Sequence, residues 1–270
     1  MHYRLFQQTL IITKYTAMNK RTFFTVSLAL LATALLFAQE HGASVFYVGT
    51  YTGGNSEGIY RYVMHNDGKL DSVGLAARTP NPSFLAVSHD KKYLVSISEV
   101  SAKDHAGMVK SYRIVGDRLK EISVSSSGGG HPCFVGINEK GDVVVANYSG
   151  GSVALYRLNM QGKLSEVLDV RQHKGSGTTS RQKSPHAHSA WFDPVSNHVI
   201  GVDLGTNELW IYALDSDAGK LVPADPPTLS MEPGAGPRHL VFHPGREWVY
   251  VVNELNATVT RVVRDGRGHY

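Results

Sequence analysis

The chain has 270 residues, 42% of them hydrophobic, which is enough to bury a sizeable core. Its formal net charge of +4 comes from 27 Lys and Arg against 23 Asp and Glu. Arg4, Lys14, Lys20 and Arg21 all precede residue 39; the remainder carries 23 charges of each sign, so nucleic acid and anionic membrane surfaces have no electrostatic case. A lone Cys133 excludes an internal disulfide and a Cys-based zinc site.

Residues 1–38 read as an N-terminal extension and signal peptide. Asn19-Lys20-Arg21 form a positive stretch after Met18, Thr22 to Phe37 is apolar, and Ala38-Gln39 is a plausible cleavage point. The apolar run is short against the roughly 20 residues of a spanning helix. The sequence therefore predicts export, to the periplasm, and a mature chain without a membrane span. A monomer is expected.

Residues 43–270 read as strands and turns. Val45 to Tyr51 is rich in β-branched and aromatic residues, Gly53-Gly54-Asn55 turns the chain, and Gly58 to Val63 is the next strand. Asn66-Asp67-Gly68 is a hairpin-type turn. A motif then recurs four times, beginning at Asn81-Pro82-Ser83-Phe84, His131-Pro132-Cys133-Phe134, His186-Ala187-His188-Ser189 and Gly236-Pro237-Arg238-His239. Each copy runs through an apolar stretch to a polar corner at Ser88, Asn138, Asp193 or His243. A second apolar run follows and ends at Ser98-Glu99, Asn147, Asp203 or Asn253-Glu254. Several short strands per fixed repeat of this size predict an all-β propeller. No helical periodicity is visible after the signal. Gln172 to Lys183, rich in Gly, Ser and Thr, is predicted to be a long loop on the channel-entrance face.

A propeller gathers one inner strand per repeat around a channel. Ser83, Cys133, His188 and Arg238 share one slot near the start of that strand. Four different side chains at one slot point to more than a scaffold role. The ends of the neighbouring strands are read as supplying Glu99, Asn147, Asp203 and Glu254. Imidazole, guanidinium and carboxylates facing one cavity suit acid–base work on a carboxylate or acyl substrate. His188, Arg238 and Glu254 are the catalytic candidates. His186, Asp203, His239, Asn253 and Asn147 are the substrate-binding candidates. The alternative is that these polar side chains tie blades together, and for Asp203 that reading is favoured.

Alternation along a strand puts His186 and His188 on one face, but no third ligand is identifiable, so no metal is expected. Ser127-Gly128-Gly129-Gly130 and Ser149-Gly150-Gly151-Ser152 lack a following helix and are read as turns rather than phosphate loops. No Gly-x-Ser-x-Gly elbow is present, against a serine hydrolase. Cys133 is read as a buried thiol, with a nucleophile beside His131 as the alternative.

Phe46-Tyr47-Val48-Gly49-Thr50-Tyr51-Thr52, Pro185-His186-Ala187-His188, Val202-Asp203-Leu204-Gly205, Gly236-Pro237-Arg238-His239-Leu240 and Val251-Val252-Asn253-Glu254 resemble the lactonase family of seven-bladed propellers. That family includes bacterial propeller-type 6-phosphogluconolactonases and the fungal 3-carboxy-cis,cis-muconate lactonizing enzyme. The resemblance implies no cofactor. It implies a site of one His, two Arg and one Glu, with His188, Arg238 and Glu254 at matching positions and the second Arg in a later blade. Seven blades of this repeat need roughly 350 residues, so the chain is expected to be truncated to about five blades. The expected activity is hydrolysis of a sugar lactone such as 6-phospho-D-glucono-1,5-lactone. A non-catalytic exported binding platform, a muconate-cycloisomerase-like enzyme and a metal-dependent gluconolactonase-like enzyme remain alternatives.

Overall fold

The computed structural model describes residues 43–100, 107–265 and 269–270. The expected signal peptide, residues 1–38, lies outside them. The chain divides into two units. The smaller takes Met64–Lys69 with the residues up to Ser44, and its described part closes a tight turn. There His65 N–H donates to Lys69 O and Gly68 N–H to His65 O, both at 2.9 Å.

The larger unit, Val45–Val63 with Leu70–Tyr270, holds the sheets except for Ala43 and Ser44 of the first strand and Met64 and His65 of the second. The first sheet is ordered β1 (Ala43–Gly49), β2 (Gly58–His65), β3 (Leu70–Arg78). The second is β4 (Leu85–Val87), β5 (Tyr93–Ser98), β6 (Met108–Val115), β7 (Arg118–Ser126). The third is β8 (Pro132–Ile137), β9 (Asp142–Asn147), β10 (Ser152–Arg157), β11 (Asp169–Gln172). The fourth is β12 (Ala187–Phe192), β13 (His198–Asp203), β14 (Glu208–Asp215), β15 (Lys220–Ser230). The fifth is β16 (Pro237–Phe242), β17 (Trp248–Asn253), β18 (Thr258–Val263). Each sheet is an up-and-down meander in chain order. Among the described residues there is no α-helix, and so none long and apolar enough to cross a membrane.

The second strand of each repeat explains the stacking. Asp142–Asn147 is buried along its whole length, so its apolar run does not alternate with polar residues. Val143 and Val145 pack toward Tyr93, Val95 and Ile97 of β5, whereas Val144 and Ala146 pack toward Ala190 and Val199 of the following sheet. The period of two is still present, but it sorts apolar residues between two neighbours. In β13, Val199 packs backward in the same way and Ile200 and Val202 forward, against Val249 and Val251.

The expected corners occur where the repeat places them. Ser88, Asn138, Asp193 and His243 each donate a backbone N–H to Tyr93, Asp142, His198 and Trp248 at 2.8–3.0 Å. At the other strand end a second bond also recurs four times. Glu99, Tyr148, Leu204 and Glu254 donate N–H to the carbonyls of Asn81, His131, His186 and Gly236 at 2.8–3.0 Å. Asn81, His131 and Gly236 meet this demand with positive φ of 41°, 49° and 63°. At Gly236 a Cβ would also meet the Leu255 side chain at 2.4 Å.

Candidate active site

The slot that the sequence singled out is a β-bulge. In β8, β12 and β16 the ladder skips Cys133, His188 and Arg238, while Pro132, Ala187 and Pro237 pair with Asn147, Asp203 and Asn253. A bulged residue has no cross-strand partner, so its side chain is re-aimed without disturbing the ladder. Ser83 occupies the corresponding place just before β4. The bulge also corrects the His-x-His expectation. β12 begins at Ala187, so His186 precedes the strand, and the extra residue at 188 breaks the alternation that would align the two rings.

The strand-end residues need a correction of register. Ser98, Asn147, Asp203 and Asn253 are equivalent and all but fully buried, and the residues that follow them are Glu99, Tyr148, Leu204 and Glu254. The buried set builds corners. Asn147 Nδ2 donates to Ser127 O (2.9 Å) and Ser152 Oγ (3.2 Å), and Asn253 Nδ2 donates to Thr258 and Thr260 Oγ1 (both 2.9 Å). Asp203 Oδ1 accepts the backbone N–H of His186, Gly205 and Thr206, each at 2.8 Å. Its Oδ2 meets buried His173 Nδ1 at 2.6 Å, and the His173 ring stacks on Trp210 at 4.3 Å. Asp203 thereby fixes the path of Pro185-His186 into the bulge. Gly205 is required for this, since a Cβ there would lie 1.9 Å from Ser184 O.

Glu254, His188 and Arg238 converge. The Arg238 Nε–H lies 3.0 Å from both His188 Nε2 and Glu254 Oε2, and His188 Nε2 is 4.0 Å from Glu254 Oε2. The loop before β12 adds a residue the sequence reading did not single out: Arg181 Nη2 reaches Glu254 Oε1 at 2.8 Å and Tyr148 OH at 3.3 Å. Buried Gln182 anchors that loop by donating to Leu204 O (2.9 Å) and Asn207 Oδ1 (3.0 Å). Tyr148 separates the two imidazoles. His186 stacks on it at 4.6 Å and donates from Nδ1 to Tyr148 O (3.1 Å), while His188 meets its edge at 5.5 Å.

Burial, and then the adjacent Arg238 charge, hold the His188 pKa below the ordinary imidazole value. The ring is therefore neutral at pH 7, and Nε2, facing the Arg238 N–H, carries its lone pair. His239 lies among Phe84, Phe134, Trp191 and His188 at 5.2–6.0 Å, and burial pushes its pKa down to about 4. Cys133 Sγ lies 3.9 Å from His188 Nδ1 and 3.3 Å from His188 O, and burial pushes the thiol pKa far up. His131 instead meets Ser149 Oγ at 2.9 Å. Among the described residues no group of three or more His, Cys, Asp or Glu is arranged to hold a metal ion. A cavity of about 1260 Å³ lies at the far ends of the inner strands, by Ile137–Lys140 and Phe192–His198, and shares none of these residues.

Residues 45–269 match the family described as "Lactonase, 7-bladed beta-propeller". The chain belongs to this lactonase family. It is 36% identical over 217 residues to a 6-phosphogluconolactonase of Bacillus subtilis (strain 168), covering 79% of this chain and 60% of that relative. It is 31% identical over 188 residues to a 6-phosphogluconolactonase of Formosa agariphila, covering 67% of this chain and 52% of the relative. The solved structure of a periplasmic gluconolactonase from Pseudomonas aeruginosa superposes with a TM-score of 0.78 at 33% identity, covering 84% of this chain and 66% of that one. This lactonase chain thus spans about half to three-fifths of the length of these curated relatives. Its bulged His188 and Arg238, with Glu254 and Arg181, draw on two adjacent lactonase blades and the loop that leads into the first of them.

Proposed function

We propose that this chain carries the ring-opening site of a sugar lactonase of the 6-phosphogluconolactonase type. The observation behind this reading is a neutral, bulged imidazole whose lone pair faces a guanidinium, with a second guanidinium held nearby by one shared carboxylate. In the proposed step a water attacks the lactone carbonyl carbon, and His188 Nε2 takes the water proton. Arg238 faces the carbonyl oxygen as it gains negative charge, where such donors contribute most. Collapse of the tetrahedral intermediate breaks the ring C–O bond, and the imidazolium returns its proton to the leaving ring oxygen. Glu254 keeps Arg238 and Arg181 aligned and stabilises the transient imidazolium across 4.0 Å. Arg181, exposed at the loop tip, holds an anionic group at the remote end of the substrate, for which a planar guanidinium is suited.

The N-terminal signal reading supports action outside the cytoplasm, in the compartment named for the Pseudomonas relative. The chemistry needs only water and these side chains, so chelator treatment should leave the rate unchanged. The test follows acid release from glucono-1,5-lactone and its 6-phosphate at constant pH, with the spontaneous rate subtracted. Acceleration that disappears in a folded His188→Ala variant supports the reading. No acceleration by the unaltered chain overturns it.

A further inference from the structure

The mouth contains a second carboxylate that the proposed mechanism does not use. Glu99 stands to Ser83 as Glu254 stands to Arg238: both pairs join the bulge-slot residue to the residue just after the second strand. Ser83 Oγ donates to Glu99 Oε2 at 2.5 Å, as Arg238 Nε–H does to Glu254 Oε2 at 3.0 Å. Tyr51 OH donates to the same Glu99 oxygen at 2.8 Å. The two carboxylates differ in what neutralises them. Glu254 faces two guanidiniums, whereas among the described residues Glu99 has hydroxyl donors only and no cationic partner, and its Oε1 takes no hydrogen bond.

We propose that Glu99 is a specificity-determining residue whose free oxygen accepts hydrogen bonds from substrate hydroxyls, so that the site takes polyhydroxylated lactones and aldonates rather than hydroxyl-free ones. This inference rests on reading the mouth as a lactone site. An ionised carboxylate is a stronger acceptor than a neutral oxygen, and a hydrogen bond to a charged group is correspondingly more favourable. The preset Ser83 and Tyr51 bonds hold the carboxylate in place before a ligand arrives. A second carboxylate from a ligand would be repelled there, so the anionic end of a ligand is directed to Arg181 and Arg238 and its hydroxylated end to Glu99.

The test measures calorimetric binding of gluconate and of hexanoate, which share chain length and carboxylate but differ in hydroxyls. The unaltered chain should prefer gluconate by about tenfold or more, the worth of one or two hydrogen bonds to a charged group. Glu99→Gln should bring that ratio close to one while leaving hexanoate binding unchanged. Tyr51→Phe removes one of the two bonds that preset the carboxylate and should lower the ratio, but less than Glu99→Gln does. Should Glu99→Gln fail to fold, Glu99→Asp, which shortens the reach, should lower the ratio. No preference in the unaltered chain, or a preference that survives in folded Glu99→Gln and Glu99→Asp, overturns the proposal. A gluconate preference without ring opening would defeat the lactonase reading alone. Ring opening without a preference would defeat this one alone.

Discussion

Arg238 offers one Nε–H to two acceptors, and that competition governs the pH behaviour of the site. Because burial and the guanidinium both lower the His188 pKa, the base form persists into acid. The acid limb of kcat/KM should therefore fall below the usual imidazole value of about 6.5. Arg238→Gln removes the second of the two causes, so the limb should move up in pH while the rate drops about 10²–10³-fold, the scale of losing one charge-stabilising donor. A pH profile of the variant that matches the unaltered chain would separate Arg238 from His188. His188 and Arg238 were readable as candidates because they put different chemistry at one shared slot of the repeat, and Glu254 because it stands at the end of the neighbouring strand. Arg181 was not readable as a site residue. Its loop was predicted at the channel entrance, but its partners Glu254 and Tyr148 lie 73 and 33 positions away, and nothing local in a Gly- and Ser-rich loop encodes that meeting.

The strand–turn element around Asp203 supports the site without touching a ligand. Its carboxylate is buried, holds three backbone N–H groups and faces His173, so Asp203→Ala leaves those donors and the imidazole unmatched. The expected loss is about 3–5 kcal/mol in urea unfolding, typical of breaking a buried charged contact. An unfolding midpoint equal to that of the unaltered chain would refute this role. The preference for a scaffold function was available from its place inside an apolar run. What the sequence hid was register. Asn147 and Asp203 look like strand-end partners of Glu99 and Glu254, yet they are one residue earlier, and the true equivalents are Tyr148 and Leu204. Side-chain identity changes between repeats, whereas the backbone bond that defines the position does not appear in the sequence.

Across the described residues, the last four sheets were legible because each one reuses the same corners, and the polar ties between neighbouring sheets were not. Asp142 links two of them through Ser216 Oγ at 2.5 Å while Arg157 Nη2 of its own sheet donates to it at 2.8 Å, and Asp193 links two through Arg264 Nη1 at 2.9 Å. Where the inner strands meet, His239 makes stability depend on pH. Its folded pKa, about 4, lies below the unfolded value near 6.5, so the unfolded chain binds the extra proton first as pH falls. Its contribution is complete above about pH 6.5 and is lost progressively toward pH 4, at most about 3 kcal/mol once the ring's partial exposure is allowed for. His239→Phe should flatten that part of the stability curve. An unchanged slope between pH 6.5 and 5 would assign the effect to other groups.

The bulges have a consequence for how such a protein changes over time. Cys133, His188 and Arg238 stand outside the ladder, with flanking residues paired on either side. Three sockets of like backbone geometry already hold a thiol, an imidazole and a guanidinium. A socket can therefore exchange its occupant while the wall around it stays intact, and new chemistry becomes accessible through single substitutions instead of rebuilt strands. The ladder that holds the sheets together and the residues that give the mouth its character are, at these positions, inherited separately.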